Sequence, residues 1–184
     1  DAVMLSDETA MGDYPVEAVE TMARIAREIE RAETHFKPMI DMDMVSVNHE
    51  ITAQLARSAV RASTNLPVKY VVLDTKTGRT GRYLAAFRGR KTVMAVCYRL
   101  HAQRILALSY GVVPILRTQE LSDKYHFLVD ALEFIDQYRK LQDDDLMAIV
   151  GGSFGPDGGA SYLELADVRG IRRRNEMIAA QNKR

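Results

Sequence analysis

The sequence is poor in several features that mark particular classes of protein. It contains one cysteine in 184 residues, and no apolar run is long enough for a membrane-spanning helix. A single cysteine excludes an internal disulfide and is typical of a reducing compartment. Lysine plus arginine and aspartate plus glutamate each number 25, so no excess charge favours nucleic acid or an anionic membrane. We therefore expect a cytoplasmic protein with neither nucleic acid nor membrane among its partners.

Short apolar runs alternate with amphipathic segments over most of the chain. The runs predict strands and the segments predict helices, in the order strand 69–73, helix 79–87, strand 92–97, helix 100–109, strand 112–116, helix 122–140 and strand 146–150. Continuous apolar strands separated by helices are typical of a mostly parallel sheet covered on both faces. A last strand at 162–168 follows a loop without a crossover helix, so we expect it to be antiparallel at one edge. The predicted fold is a three-layer α/β domain.

The first 34 residues have a different organisation. A short apolar run at residues 2–5 predicts a strand, a polar loop follows, and an amphipathic helix begins at Pro15. One strand and one helix cannot bury their own faces, and the chain does not begin with methionine, so we expect a part of a longer protein. If the strand belonged to a barrel, the polar residues after it would lie on the catalytic face; otherwise they form an ordinary loop. These residues are Ser6, Asp7, Glu8 and Thr9.

The remaining segments complete the domain organisation that we predict. Residues 35–45, which Pro38 interrupts, are interpreted as a connector, and a helix runs from about Ser46 to Asn65. The α/β domain then occupies residues 46–168. Residues 169–184 form a basic tail, with six cations and Glu176 as the acid. The tail is either a contact for nucleic acid or acidic partners, or a helix that is solvated or packs in an oligomer.

A turn rich in hydroxyls and cations lies between the first strand of the domain and the following helix. Its sequence is TKTGRT, residues 75–80, and we call it the threonine turn. The first N–H groups of a helix lack partners and carry positive charge, and a glycine lets the backbone come close to a ligand, so the turn could hold a phosphate. The alternative is that Thr77 or Thr80 caps the helix and the arginines are solvated. The residues alone leave both interpretations open.

A second candidate segment follows the strand at 146–150. Residues 151–161, GGSFGPDGGAS, are called the glycine loop, and they lie beyond the carboxyl end of a strand, where open α/β sheets bind ligands. A strand and not a helix follows, so the loop is not a dinucleotide fingerprint. A flexible turn without a ligand is the alternative.

No metal site is predicted from the spacing of the potential ligands. The histidines, at 35, 49, 101 and 126, show no metal-ligand spacing with one another or with Cys97. Cys97 closes an apolar strand, so we expect a small buried side chain.

Two long motifs carry a resemblance to a known family. The stretch DAVMLSDETAMGDYPVEAVETMARIAREIE resembles the end of the catalytic (β/α)8 barrel of pyruvate kinases, namely its last strand, active-site loop and last helix. TKTGRTGRYLAAFRGRKTVMAV and RILALSYGVVPIL are similar to the carboxy-terminal domain of the same family. The resemblance covers residues 1–166. It implies that residues 1–34 are the remnant of the barrel and that the α/β domain is the regulatory domain.

The resemblance also implies the roles of particular residues. The threonine turn would bind the phosphate of a sugar-phosphate or nucleotide effector, and the glycine loop would close over the rest of that ligand. At the barrel, Ser6, Glu8 and Thr9 would lie at the active-site end. The loop departs from the common family pattern at Ser161 and Tyr162, where many members have threonine and asparagine. The implied effector-binding residues are Thr75, Lys76, Thr77, Gly78, Arg79, Thr80, Gly155, Gly158, Gly159 and Ser161.

The parent protein implied by the resemblance transfers a phosphoryl group from phosphoenolpyruvate to ADP with Mg²⁺ and usually K⁺. Its catalytic lysine, its metal ligands and its nucleotide-covering domain would all precede residue 1. We therefore expect this chain to bind neither metal and to be inactive alone. Family members are usually homotetramers, so a homo-oligomer is expected. An independent anion-binding or interaction module without kinase activity is the alternative.

Overall fold

A computed structural model describes residues 2–32, 50–117, 126–152 and 159–181. The chain divides into two compact units, Asp1–Lys37 and Pro38–Arg184. The predicted connector and the first residues of the helix expected from Ser46 lie outside the described residues. No helix in the described part of the chain is both long enough and apolar enough to cross a membrane.

The described residues of the first unit, 2–32, form two helices. Helix α1 is Asp7–Ala10 and helix α2 is Pro15–Ala32. Pro15 at the first position and Glu17 in the first turn favour the start of α2. Residues 2–5, where a barrel strand is predicted, pair with no described strand of this chain and are not assigned as a strand; a barrel strand would pair with neighbours outside this chain, so the prediction stays untested. Part of the polar loop is instead the single turn of α1.

The described residues of the second unit form one five-stranded sheet. In chain order its elements are α3 (Glu50–Asn65), β1 (Val68–Thr75), α4 (Arg79–Ala86), β2 (Val93–Cys97), α5 (Leu100–Leu106), β3 (Val112–Leu116), α6 (His126–Tyr138), β4 (Leu146–Gly151), β5 (Tyr162–Asp167) and α7 (Val168–Gln181). The strands lie in the order β3-β2-β1-β4-β5. All neighbouring pairs are parallel except β4 and β5, which are antiparallel. The predicted fold class and the antiparallel edge strand are confirmed.

Helices cover both faces of the sheet. Helices α3, α4 and α5 pack on one face through small and branched side chains such as Ala56, Leu84 and Ala102. Helices α6 and α7 pack on the other through larger ones such as Phe127 and Ile171. The central strands are buried on both faces, and this is why they appear in the sequence as continuous apolar runs.

The segment interpreted as a basic tail begins with α7. Its residue Ile171 is buried against the α6 face, and Arg172 pairs with Asp136 of α6 at 2.9 Å and with Asp143 at 2.8 Å. Arg174 pairs with Glu164 of β5. Helix α7 is therefore packed on the sheet, and several of its cations are matched by acids of the same unit.

The order in which the strands are added to the sheet reverses beside β1. From β1 the chain moves to β2 and β3 on one side, and it then returns to β4 on the other side of β1. In an open parallel sheet such a switch leaves a crevice outside the carboxyl ends of the two strands concerned. Here these are the ends of β1 and β4, which the threonine turn and the glycine loop follow.

Candidate functional site

The threonine turn and the first residues of the glycine loop lie side by side. Strands β1 and β4 are parallel and in register from Tyr70 opposite Met147 to Leu73 opposite Val150. Continuing this register by two residues brings Thr75 beside Gly152. The threonine turn and the glycine loop, whose first residues are 76 positions apart in the chain, are thus neighbours at the carboxyl edge of the sheet.

Thr75 fixes the start of the turn. Its side chain is buried, with 3% of its surface exposed, and its Oγ1 accepts a hydrogen bond from the Gly78 N–H at 2.9 Å. Gly78 has φ of 79°, in the left-handed region that favours glycine. The geometry brings the chain sharply from β1 into α4, which begins at the next residue.

Close packing against α5 holds α4 in this position. A Cβ at Gly81 would lie 2.8 Å from Cδ2 of Leu106, and Leu106 is fully buried. Thr80 is also buried, with 6% exposed. The absence of a side chain at Gly81 therefore lets the first turn of α4 lie against α5, which fixes the direction of the helix axis at the site.

The remaining residues of the turn face outward. Thr77 is exposed, and its Oγ1 accepts a hydrogen bond from the Arg79 N–H at 3.4 Å, which is at the long limit for such a bond. Gly78, and neither threonine, occupies the N-cap position. Thr80 therefore does not cap α4, whereas Thr77 accepts the first N–H of the helix through this long bond. Arg79 is half-exposed at the first position of α4.

The two ends of the glycine loop are fixed by different contacts. Gly151 faces Tyr162 across the antiparallel pair, and a Cβ at Gly151 would come within 2.3 Å of the Tyr162 hydroxyl. The Ser161 N–H donates to the Gly151 carbonyl at 2.8 Å. These contacts bring both ends of the loop to the carboxyl end of β4. Gly155 and Gly158 lie outside the described residues.

Helix α3 supports the second half of the loop. Gly159 has φ of +75°, and a Cβ there would lie 2.8 Å from Oγ1 of Thr52 in the first turn of α3. Thr52 is buried. Sequence reasoning missed Thr52, Gly81 and Leu106, because their contacts join residues far apart in the chain.

Ser6, Glu8 and Thr9 form a local hydrogen-bonded cluster in the first unit. The Ser6 N–H donates to Oε2 of Glu8 at 3.0 Å, and Oγ1 of Thr9 donates to the Ser6 carbonyl at 3.1 Å. Backbone hydrogen bonds lower the pKa of Glu8 below its usual value. The side chains of Glu8 and Thr9, bonded to the backbone of Ser6, thus stabilise the single turn of α1, which is a structural role.

Two ionisable groups near the carboxyl edge, one half-buried and one buried, have raised pKa values. Burial raises the pKa of Asp74, the residue before Thr75, to about 6, and a hydrogen bond from Tyr98 opposes that rise. Burial raises the pKa of the Cys97 thiol to about 12. The expectation of a small buried cysteine is confirmed, and this thiol is unreactive in the folded state because little thiolate forms. Among the described residues, no three His, Cys, Asp or Glu side chains are grouped so that they could hold a metal ion.

A comparison with protein families decides the relationship of the chain. The family model for the α/β domain of pyruvate kinase matches residues 53–166, more than half of the chain. The chain belongs to the pyruvate kinase family. The matched range includes the threonine turn and the glycine loop, and it ends before α7.

Individual pyruvate kinases are similar over a longer range. That of Bacillus licheniformis is 32% identical over 192 aligned residues, which cover 99% of this chain and 32% of the relative. That of Borreliella burgdorferi is 30% identical over 171 residues, covering 91% of this chain and 35% of the relative. Over a shorter range of 112 residues, the enzyme of Geobacillus stearothermophilus is 38% identical. The chain thus spans about a third of the length of the first two relatives.

Proposed function

We propose that this chain is the carboxy-terminal part of a pyruvate kinase and that its α/β domain binds a phosphorylated effector. The observation that carries the proposal is the position of the threonine turn. The turn lies at the switch between β1 and β4, and α4 begins there with Arg79. The positive end of a helix with an arginine at its first position favours an anion.

The chemistry of the turn favours a phosphate group in particular. Thr75 holds the Gly78 N–H in place, so the turn does not have to reorganise when a ligand binds. Thr77 is exposed and could donate its hydroxyl proton, and the Arg79 guanidinium could bond two phosphate oxygens at once. The body of the ligand, a sugar or a nucleoside, would extend toward the glycine loop beside Thr75 and contact Gly159 and Ser161.

In the parent protein the effector would act on the assembly. We infer a homotetramer in which this domain makes subunit contacts. An effector can shift such an assembly only if it binds one quaternary state more tightly than the other. The effector would therefore change the activity of a catalytic barrel, of which residues 1–34 would be the last part.

The reaction of the parent would be phosphoryl transfer from phosphoenolpyruvate to ADP, a step of glycolysis. Mg²⁺ and K⁺ would stabilise charge on the transferring group. The described residues contain no cluster that fits either metal, so no step of the transfer is assigned to this chain. We expect the purified chain to form no ATP from phosphoenolpyruvate and ADP in a coupled assay, and formation of ATP would contradict this proposal.

Calorimetric titration tests the effector site directly. The chain would be titrated with fructose 1,6-bisphosphate, ribose 5-phosphate, glucose 6-phosphate and AMP. We expect one of these ligands to bind, and we expect Thr77→Ala and Arg79→Ala each to weaken its binding. Loss of the Arg79 charge-assisted hydrogen bonds should cost about 1.5–3 kcal/mol, roughly a tenfold or greater loss of affinity.

Arg139→Ala provides the matched control, since it removes the same charge from an exposed position near the end of α6, at the opposite edge of the sheet. It should leave the affinity unchanged. Equal weakening by Arg139→Ala and Arg79→Ala would mean that only net charge matters, and the assignment of the turn would fail. Binding that neither Thr77→Ala nor Arg79→Ala weakens would also contradict it.

An independent anion-binding module without a kinase role is the second candidate. The threonine turn would serve such a module equally well. The long similarity to complete pyruvate kinases, which extends into residues 1–34 for the Bacillus licheniformis protein, favours the first proposal.

A further inference from the structure

We propose that exposed arginines on α3, α4 and α5 raise the affinity of the threonine turn for multiply charged anions without touching them. These residues, which we call the outer arginines, are Arg57, Arg61, Arg82 and Arg104. The inference rests on the proposed effector site. It adds that the site selects its ligand by total negative charge, because the attraction grows in proportion to that charge.

Charge is distributed unevenly along the second unit. Residues 50–117 contain 12 lysines and arginines but two acids, Glu50 and Asp74. The other described residues of the unit, 126–152 and 159–181, contain six lysines and arginines and nine acids. The balanced charge of the whole chain therefore conceals a strongly basic part, which includes α3, α4 and α5.

The uneven charge becomes a difference between the two faces of the sheet. Helices α3, α4 and α5 all pack on one face. Asp74 lies on the other face, because Val72, which precedes it by two residues on β1, packs under α6, as does Tyr98, whose hydroxyl donates to the Asp74 carboxyl group. Glu50 is the first residue of α3. The three helices therefore carry no carboxylate other than that of Glu50.

The positive charge of these helices is not matched by acids. The outer arginines are exposed, and no ion pair between described residues involves any of them. The cations of α7 differ in this respect. Arg172 pairs with Asp136, and Arg174 pairs with Glu164. The field of the outer arginines is thus not neutralised within the described part of the unit.

The threonine turn lies in the middle of this layer of helices. Helix α3 packs on β1 and β4, and α5 packs on β2 and β3, so α4, which begins at the turn, lies between them. All three helices start at the carboxyl edge of the sheet. Helices α4 and α5 follow β1 and β2, and Thr52 in the first turn of α3 lies close to Gly159. The turn therefore has outer arginines on both sides.

Helix geometry limits the distances from the outer arginines to the turn. Arg82 follows Arg79 by three residues on α4, which is about 4.5 Å along the axis. Arg57 follows Thr52 by five residues, and Arg104 is four residues after the start of α5, so each lies roughly 6–8 Å along its own axis. Packed helices are about 8–10 Å apart. These arginines therefore lie within roughly 15 Å of the turn, where the Debye length of about 10 Å at 0.1 M salt still permits attraction.

Charges that act at a distance differ from charges that touch a ligand in their salt dependence. Salt screens the attraction between an anion and an exposed arginine separated from it by water. A guanidinium that bonds the anion directly, as proposed for Arg79, is screened much less. Lys76, Arg79 and Arg99 lie at the carboxyl edge itself, where a ligand could touch them. The test therefore leaves these three residues unchanged.

A triple variant, Arg57→Gln, Arg82→Gln and Arg104→Gln, removes one outer arginine from each helix. Glutamine is nearly as good a helix former as arginine, so circular dichroism should show that the helices are retained. The dissociation constant of sulfate, a dianion, would be measured from the NMR shifts of the Gly78 and Arg79 amides at ionic strengths of about 0.03 M and about 0.3 M. We expect the triple variant to bind roughly threefold to tenfold more weakly at the lower ionic strength and less than about twofold more weakly at the higher one.

A second triple variant provides the matched control. Arg139→Gln, Lys140→Gln and Arg173→Gln remove the same charge from exposed positions after α6 and on α7, and the affinity for sulfate should change much less. Methyl sulfate tests the dependence on ligand charge, since it has a similar head group with one negative charge. Its loss of affinity in the first triple variant should be about the square root of the loss for sulfate.

The outcomes separate this inference from the proposed function. Equal losses in the two triple variants would mean that only net charge matters, and a loss that persists at the higher ionic strength would mean that the arginines touch the ligand; either result would overturn the inference. Unchanged sulfate affinity in the first triple variant would also overturn it and would leave the anion site intact. Absence of sulfate binding to the unaltered chain would overturn the anion site and this inference with it.

Discussion

The two faces of the sheet are packed by different kinds of side chain. On the face covered by α3, α4 and α5, alanines and glycines allow close approach, as at Gly81 against Leu106. On the face covered by α6 and α7, large side chains such as Phe127 and Met147 fill the space, and an ion pair at the surface joins α7 to α6. The first face positions the threonine turn, and the second contributes much of the buried apolar volume.

This difference suggests a division of roles between the faces. Close backbone packing restricts the movement of a helix, because there is no flexible side chain between the helices to adjust. A change on the α4 face should therefore alter ligand affinity together with stability. A change on the α6 face should alter stability alone.

The largest expected effect is that of Phe127→Ala on the α6 face. Phe127 is 2% exposed, and truncating a buried phenylalanine typically costs about 3–5 kcal/mol of unfolding free energy. Urea unfolding monitored by circular dichroism would measure the loss. Phe134→Ala on the same helix, where the ring is only half-buried, should cost less. If Phe127→Ala also weakened ligand binding at the turn tenfold, the faces would not be separate.

Gly81→Ala should have a smaller effect on stability and a clear effect on affinity. Alanine is ordinarily the better helix former by about 1 kcal/mol, but its Cβ would lie 2.8 Å from the fully buried Leu106, and such overpacking costs about 1–3 kcal/mol. We expect a net loss of about 1 kcal/mol in urea unfolding and weaker ligand binding, because α4 must move.

A double-mutant cycle tests whether the contact with Leu106 causes the loss of stability in Gly81→Ala. Leu106→Ala removes the two methyl groups that Gly81→Ala would meet. The double variant should therefore lose less stability than the sum of the two single losses. Additive losses would show that the close contact with Leu106 is not the reason why Gly81→Ala loses stability.

The smallest expected effect is that of Arg172→Ala. Its ion pairs with Asp136 and Asp143 involve side chains that are about 40–50% exposed, and exposed pairs are worth about 0–1 kcal/mol. Thermal unfolding should show a loss of about 0.5 kcal/mol that disappears in high salt. Arg173→Ala, at an exposed position, is the control. A loss above about 2 kcal/mol would mean that α7 depends on its ion pairs more than on Ile171.

The strands could be predicted from the sequence where both faces of a strand are buried. Strands β2, β3 and β4 have apolar side chains on both faces, so their positions follow from uninterrupted apolar runs. Strand β1 is longer than the predicted 69–73, because Asp74 and Thr75 also pair with Val96 and Cys97 of β2. The apolar run at residues 2–5 has the same composition as these strands, but composition does not show which neighbouring strand, if any, pairs with it.

The candidate site could be predicted in part. The composition of residues 75–80 identified the turn, and the glycines at 151–161 identified the loop. Which threonine ties the turn could not be predicted, because the answer depends on the left-handed conformation of Gly78 and on the burial of Thr75. The hydrogen bond from the Tyr98 hydroxyl to Asp74 joins residues 24 positions apart, and a sequence pattern does not show that contact.

The strand order has a consequence for the order of folding. Val71 of β1 lies opposite Val93 in one neighbouring strand and Ala148 in the other, so the first pairing closes a much shorter loop than the second. Longer closures carry a higher entropic cost and contribute to slow folding. The turn forms on the locally connected side, whereas the glycine loop arrives only with the distant pairing of β1 with β4. A ligand that contacts both would therefore stabilise the more distant of the two strand pairings of β1, and it should slow unfolding more than it accelerates folding.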